Sequence, residues 1–185
     1  ISLNARVNSK TIRVRGTFDG KGKTYYGVGD GSSNEGKPAV FILEEGASLK
    51  NVIIKPLSGD GIHVKGNNSI INVVFLDVGE DAVSMNSRAA GGSITIRNCK
   101  FHSADDKVFQ VNKESTWNII NCTVIGAGKV LRQNGGQKFP MSVNIKNLKT
   151  KGVKEAIVRS DSPFCKVNFM NITSNLPEDR WWKGR

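Results

Sequence analysis

The chain has 185 residues and a formal net charge of +11, enough length to bury one continuous core and too little for two comfortable domains, so residues 1–185 are read as one unit. No run approaches the roughly 20 apolar residues of a membrane-spanning helix. Lys and Arg are scattered singly, without interleaved aromatics, which argues against a nucleic-acid partner, while the surplus charge suits an acidic membrane face or an acidic polysaccharide and does not by itself choose between them. The sequence opens on Ile1 without a methionine or an apolar leader, as a mature or trimmed product would.

From the N-terminus onward, short runs rich in Val, Ile and Thr recur in place of long amphipathic helices. Segments with an Asn followed by an apolar residue lie at 48–52, 69–73, 95–99, 118–122, 144–148 and 168–172. Their asparagines, Asn51, Asn72, Asn98, Asn121, Asn147 and Asn171, follow one another at 21, 26, 23, 26 and 24 residues. Between them fall second runs at 60–64, 81–85, 106–110, 128–132 and 155–159. Two short strands per turn, no helix between them and a period in the solenoid range predict an all-β parallel β-helix whose coils pair at about 4.8 Å.

The repeated Asn is expected at a bend, its amide forming a ladder with the amides of the coils above and below. Asn67, Asn121 and Asn171 each open a glycosylation triplet. Only Asn67 is expected to be an acceptor, because the ladder residues should face inward. The three cysteines, Cys99, Cys122 and Cys165, form no CxxC pair, which excludes an ordinary zinc site. Cys99 and Cys122 occupy the same place in adjacent coils and suit either a disulfide or two reduced thiols.

Stacking turns distant positions into neighbours. Asp60 aligns with Asp81, and Glu80 precedes Asp81, so three carboxylates should converge; an oxygen-only cluster of that kind favours calcium. In the same frame the residues after each strand opening are Gly61, Ala82, Lys107, Lys129 and Ala156. Lys107 and Lys129 should therefore stack and lower each other's pKa, which favours the neutral base form. Three residues beyond Lys129, Arg132 carries a guanidinium able to grip a carboxylate through two bonds. Together these parts suit removal of the C5 proton of a uronic acid followed by loss of the 4-linked sugar. His63, beside the acids, is expected to be a structurally satisfied histidine, and Trp181 and Trp182 are expected to cap the last coil.

The blocks 17–22, 46–51, 60–63, 78–82, 106–110, 132–136 and 159–162, in that order, resemble the family 3 polysaccharide lyases, which are small pectate lyases. The resemblance implies a right-handed single-stranded parallel β-helix and a secreted, extracellular, monomeric enzyme with no nucleic-acid or membrane partner. It further implies Ca2+ as cofactor, de-esterified polygalacturonate as substrate, 4,5-unsaturated oligogalacturonides as products and an alkaline optimum. By matching motif, Asp60, Glu80 and Asp81 hold calcium and Lys107 is the base. Arg132 polarises the substrate carboxylate, while Lys129 and Arg159 bind substrate. Asn86 stands where relatives carry a lysine, and Lys65, beside it on the preceding coil, is expected to restore that charge. Two alternatives remain open: a β-helix hydrolase of the polygalacturonase type, and a solenoid that binds polyuronate without catalysis.

Overall fold

A computed structural model describes residues 5–7, 10–26, 28, 37–55 and 60–184. Every strand pairing in it is parallel, and one 3-10 turn, Glu178–Arg180, is the only helix among the described residues. The architecture is the expected parallel β-helix. Each coil, however, has three faces where two strands were expected. Face A takes Ala39–Leu43, Asp60–Val64, Val83–Met85, Lys107–Val111 and the ends of the long strands Ser115–Gln133 and Met141–Arg159. Face B stacks 48–50, 69–71, Gly91–Arg97, 115–120, 141–146 and 165–170, and face C stacks 52–54, 73–75, Lys100–His102, 122–125 and 148–151.

The third face arises because each Asn-containing segment bends at its Asn. Asn51, Asn72, Asn98, Asn121, Asn147 and Asn171 all have φ between 53° and 57°. That left-handed region is costly for most side chains, and Asn is among the few that visit it routinely. Asn72 donates to Asn51, Asn147 to Asn121 and Asn171 to Asn147, each at 2.7 Å, and Asn51 continues the ladder to Asp19 at 3.0 Å. The ladder is the expected one, but it runs along the outside: Asn72, Asn98, Asn121 and Asn171 are exposed. A left-handed residue turns its strand outward around the corner, so the inward orientation used to dismiss Asn121 and Asn171 as acceptors does not hold. A second ladder, unforeseen in the sequence, joins Asn168 to Asn144 and Asn144 to Asn118 on face B.

Inside, equivalent residues stack. Leu49, Ile70, Ile96, Ile119 and Ile145 form one column behind face B, and Phe41, Ile62, Val83, Phe109, Leu131 and Val158 form one behind face A. None exceeds 2% exposure, so each contributes roughly 1.5–3 kcal/mol of burial. Phe75, Phe101, Phe109 and Trp117 continue as an aromatic chain with centroids 5.0–5.8 Å apart. Cys99 and Cys122 are buried free thiols in neighbouring coils. Trp182 pairs with Val158 and Trp181 packs on Phe169, placing both tryptophans against the last coil.

Candidate functional site

Face A carries the chemistry because its strands begin where the chain turns in from face C, leaving charged side chains at one edge of the sheet. Ile62 pairs with Val83, Val83 with Phe109 and Lys107 with Lys129. Carried two residues toward the strand starts, this register puts Asp60, Asp81, Lys107 and Lys129 in one file. The sequence frame had set Lys107 level with Ala82 by matching Asp106 to Asp81. The strand instead starts at Lys107, and Asp106 lies in the turn before it. This one-residue correction brings Asp81, not Ala82, to Lys107. Ala82 and Val108 point into the core, and Phe109 does too, so the next outward position is three residues along. There His63, Ser84, Gln110, Arg132 and Arg159 make a second file.

Charges alternate along the first file. The Lys107 ammonium lies 3.3 Å from Asp81 Oδ1 and 3.2 Å from Asp106 Oδ2, and Lys129 lies 2.5 Å from Asp106 Oδ1 and 3.3 Å from Glu155 Oε1. Burial alone would lower the pKa of Lys107, but the Asp81 and Asp106 carboxylates outweigh it and hold it above the usual lysine value. The mutual lowering expected of stacked lysines is absent at Lys107 because Asp106 sits between the two ammonium groups. For Asp106 burial pushes upward, but the hydrogen bonds from Lys129 and Lys107 prevail and hold the carboxyl below its ordinary range. Asp81 moves the other way: it is 7% exposed, and burial, aided by the negative charge of Asp60, outweighs Lys107 and raises its pKa.

Several buried groups in this site lack the partners their chemistry calls for, Gln110 Oε1 among them. Arg132 Nη2 donates to Asp161 at 3.1 Å, while its Nη1 is buried and donates to nothing. Asp60 Oδ2 is 2.8 Å from His63 Nε2, which satisfies the histidine as expected, while its Oδ1 is buried and accepts nothing. Buried polar groups are nearly always bonded, so each is open to a partner from outside the chain, water included. The expected convergence of Asp60, Glu80 and Asp81 is not found: among the described residues no three His, Cys, Asp or Glu side chains come together as a ready-made cation cage. The open Asp60 oxygen beside Asp81, with Glu80 in the preceding bend, nonetheless fits a hard cation that takes further oxygens from water and ligand.

Lys65 lies apart from this cluster, whereas Arg159 stands in the second file one coil beyond Arg132. Lys65 reaches back to Glu44 at 3.3 Å, and Arg159 pairs with Glu155 at 3.4 Å. Asp106, Glu155 and Asp161, which hold the lysines and arginines in place, were not foreseen as site residues. For Asp106 a signal existed, since it directly precedes one lysine and sits one coil before the other.

A model of the pectate lyase family matches residues 2–184. The chain belongs to the pectate lyase family. Among curated members, "Probable pectate lyase E" of Neosartorya fischeri is 41% identical over 149 residues, covering 78% of this chain and 58% of that protein. The chain thus spans less than two thirds of that family member. Among solved structures, the catalytic domain of pectate lyase PelI from Erwinia chrysanthemi matches with a TM-score of 0.78 and 26% identity, over 95% of this chain and 82% of that one. PelI in complex with tetragalacturonic acid matches with a TM-score of 0.73 at 24% identity, over 96% of this chain and 59% of that one, a likeness of fold.

Proposed function

We propose that this chain is a single catalytic β-helix unit of a secreted pectate lyase that cleaves de-esterified polygalacturonate by calcium-assisted β-elimination, releasing 4,5-unsaturated oligogalacturonides. The observation that carries the reading is the buried, unpartnered Nη1 of Arg132 in the file beside the Lys107–Lys129 pair. A guanidinium with one arm fixed by Asp161 and one arm free is built to receive a carboxylate. A tetragalacturonate bound to the PelI relative supports a polyuronate as the source of that carboxylate.

In this reading Arg132 takes the carboxylate at C6 of a galacturonate and stabilises the charge that develops on it as the C5–H bond breaks. Lys107, in its neutral form, accepts that proton. The electron pair then forms the C4–C5 double bond as the C4–O bond breaks, and the departing chain leaves with its oxygen, which takes a proton from water. Lys129 binds a neighbouring carboxylate, and Arg159 extends the basic file along the polymer. Asp60, Glu80 and Asp81 would hold calcium, whose chemistry there is to neutralise the substrate carboxylate and acidify the C5 proton.

The test is ultraviolet absorbance during incubation with polygalacturonate. A lyase generates a conjugated, absorbing product. New reducing ends without absorbance would assign a hydrolase instead, and neither signal would leave a binding solenoid.

A further inference from the structure

The ion pairs of Glu44, Asp60, Asp81, Asp106, Glu155 and Asp161 lie on face A or at the turns beside it. The corner between faces B and C is the reverse. Residues 91–102, 115–125, 141–151 and 165–173 contain no Asp or Glu at all, yet they carry exposed Arg97, Lys100, Lys146, Lys149, Lys151 and Lys166. This corner is separated from face A by the whole of face B, so the site described above does not use it.

Its bases are in register. On face B, Lys50 stacks on Ile71, Ile71 on Arg97, Arg97 on Ile120 and Ile120 on Lys146. On face C, Lys100 stacks on Thr123 and Thr123 on Lys149. In both columns a cation recurs every second coil, about 9.5 Å apart at the usual strand spacing. Arg97 and Lys100, then Lys146 and Lys149, flank the exposed asparagine ladder in pairs. A groove of about 290 Å³ runs beside that ladder on face B, lined by Asn118, Asn144, Asn168, Ile120, Lys146 and Met170. Its column of amides, Asn118, Asn144 and Asn168, offers Nδ2 hydrogens beyond the ladder bonds on three successive coils.

We propose that this corner is a second binding surface for an extended polyuronate strand, distinct from face A; the inference rests on the polyuronate reading above. Cations two coils apart suit the carboxylates of alternate sugars on one edge of the strand. The amide column suits the hydroxyls, and the apolar Ile120 between Arg97 and Lys146, with Met170 one coil beyond Lys146, suits the faces of the rings. A highly charged polymer without hydroxyl-bearing rings at that repeat would use the cations alone.

The experiment compares the full chain with a variant carrying Arg97→Gln, Lys100→Gln, Lys146→Gln and Lys149→Gln. Both are run in native gels containing polygalacturonate, with Lys107→Ala added so that the polymer stays intact. Without Lys107→Ala, both are assayed on tetragalacturonate and on the polymer. Four exposed charge contacts of less than about 1 kcal/mol each make roughly fivefold weaker retardation, or more, the expected result. KM for the polymer should rise by a similar factor while the rate on tetragalacturonate stays the same. Equal retardation of the two chains, or an equal fall on both substrates, overturns the proposal. So does equal retention by dextran sulfate or duplex DNA with the same dependence on the four residues, which would assign a general polyanion patch. If the unsubstituted chain makes no unsaturated product, the lyase reading fails, while the gel still judges the corner.

Discussion

Lys107 stands one coil from Asp81 with its ammonium 3.3 Å from Oδ1, and it shares Asp106 with Lys129. A lysine held between two carboxylates keeps its proton more tightly than one in water, yet the proposed reaction needs it to give that proton up. Asp106 therefore helps to set the pH at which the base becomes available.

Replacing Asp106 with Asn should lower the pKa of Lys107, since it removes one of the two carboxylates that raise it. The alkaline rise of kcat/KM then moves to lower pH, and profiles of the two proteins side by side measure the shift. The stability consequence has a definite sign. Pairing that raises a lysine's pKa stabilises the fold fully below the ordinary lysine value and is lost as pH climbs through the raised one. The Tm difference between the unsubstituted chain and Lys107→Met should accordingly be constant near pH 8 and shrink above about pH 10.5.

The outer ladder makes a separate stability prediction. Asn147 donates to Asn121, accepts from Asn171 and has φ 56°. Asn147→Ala loses both bonds and places a less tolerant residue in the left-handed region, for an expected loss of about 2 kcal/mol. Asn147→Gly keeps the backbone at ease and should lose less. Urea unfolding of the two variants separates the parts, and equal losses would show that backbone conformation contributes little.

If Asp60 offers its free oxygen to calcium, a chelator should abolish product formation and added calcium should restore it. Asp60→Asn should weaken calcium binding measured by calorimetry at least as much as losing a supporting partner does, roughly tenfold or more. Unchanged calcium affinity in that variant would remove Asp60 from the ligand set.

Lys65 is the residue expected to make up for Asn86, yet it reaches to Glu44. Lys65→Ala should raise KM for polygalacturonate with little change in kcat. An unchanged KM would mean that the pairing with Glu44 is its whole role.

Periodicity made the fold legible in the sequence, because a solenoid writes its coil length directly into the spacing of its bend residues. Which way those bends face was less legible. Asn51 through Asn171 were correctly set at corners, but a sequence repeat does not reveal that a left-handed φ carries the side chain outward and splits one strand into two faces. The register of the charged file was legible to within one residue, whereas Glu155 and Asp161, which hold Lys129 and Arg132, were not. Asp60, Asp81, Lys107, Lys129 and Arg132 were all picked out, and the slip at Asp106 arose from matching Asp to Asp where the strand begins at Lys. That slip hid the carboxylate between the lysines and reversed the expected direction of the Lys107 pKa. The face B ladder of Asn118, Asn144 and Asn168 was in plain view as the first residue of three repeats, but nothing in the spacing distinguished it from ordinary polar alternation.

The most direct measurement follows ultraviolet absorbance while polygalacturonate is incubated with the unsubstituted chain and with Lys107→Ala, both verified as folded by circular dichroism. The expected result is a steady rise with the former and a rate lower by about 10²–10⁴ with the latter, the span that losing a general base costs. A rise of equal rate with both proteins would contradict the assignment of Lys107 as the base.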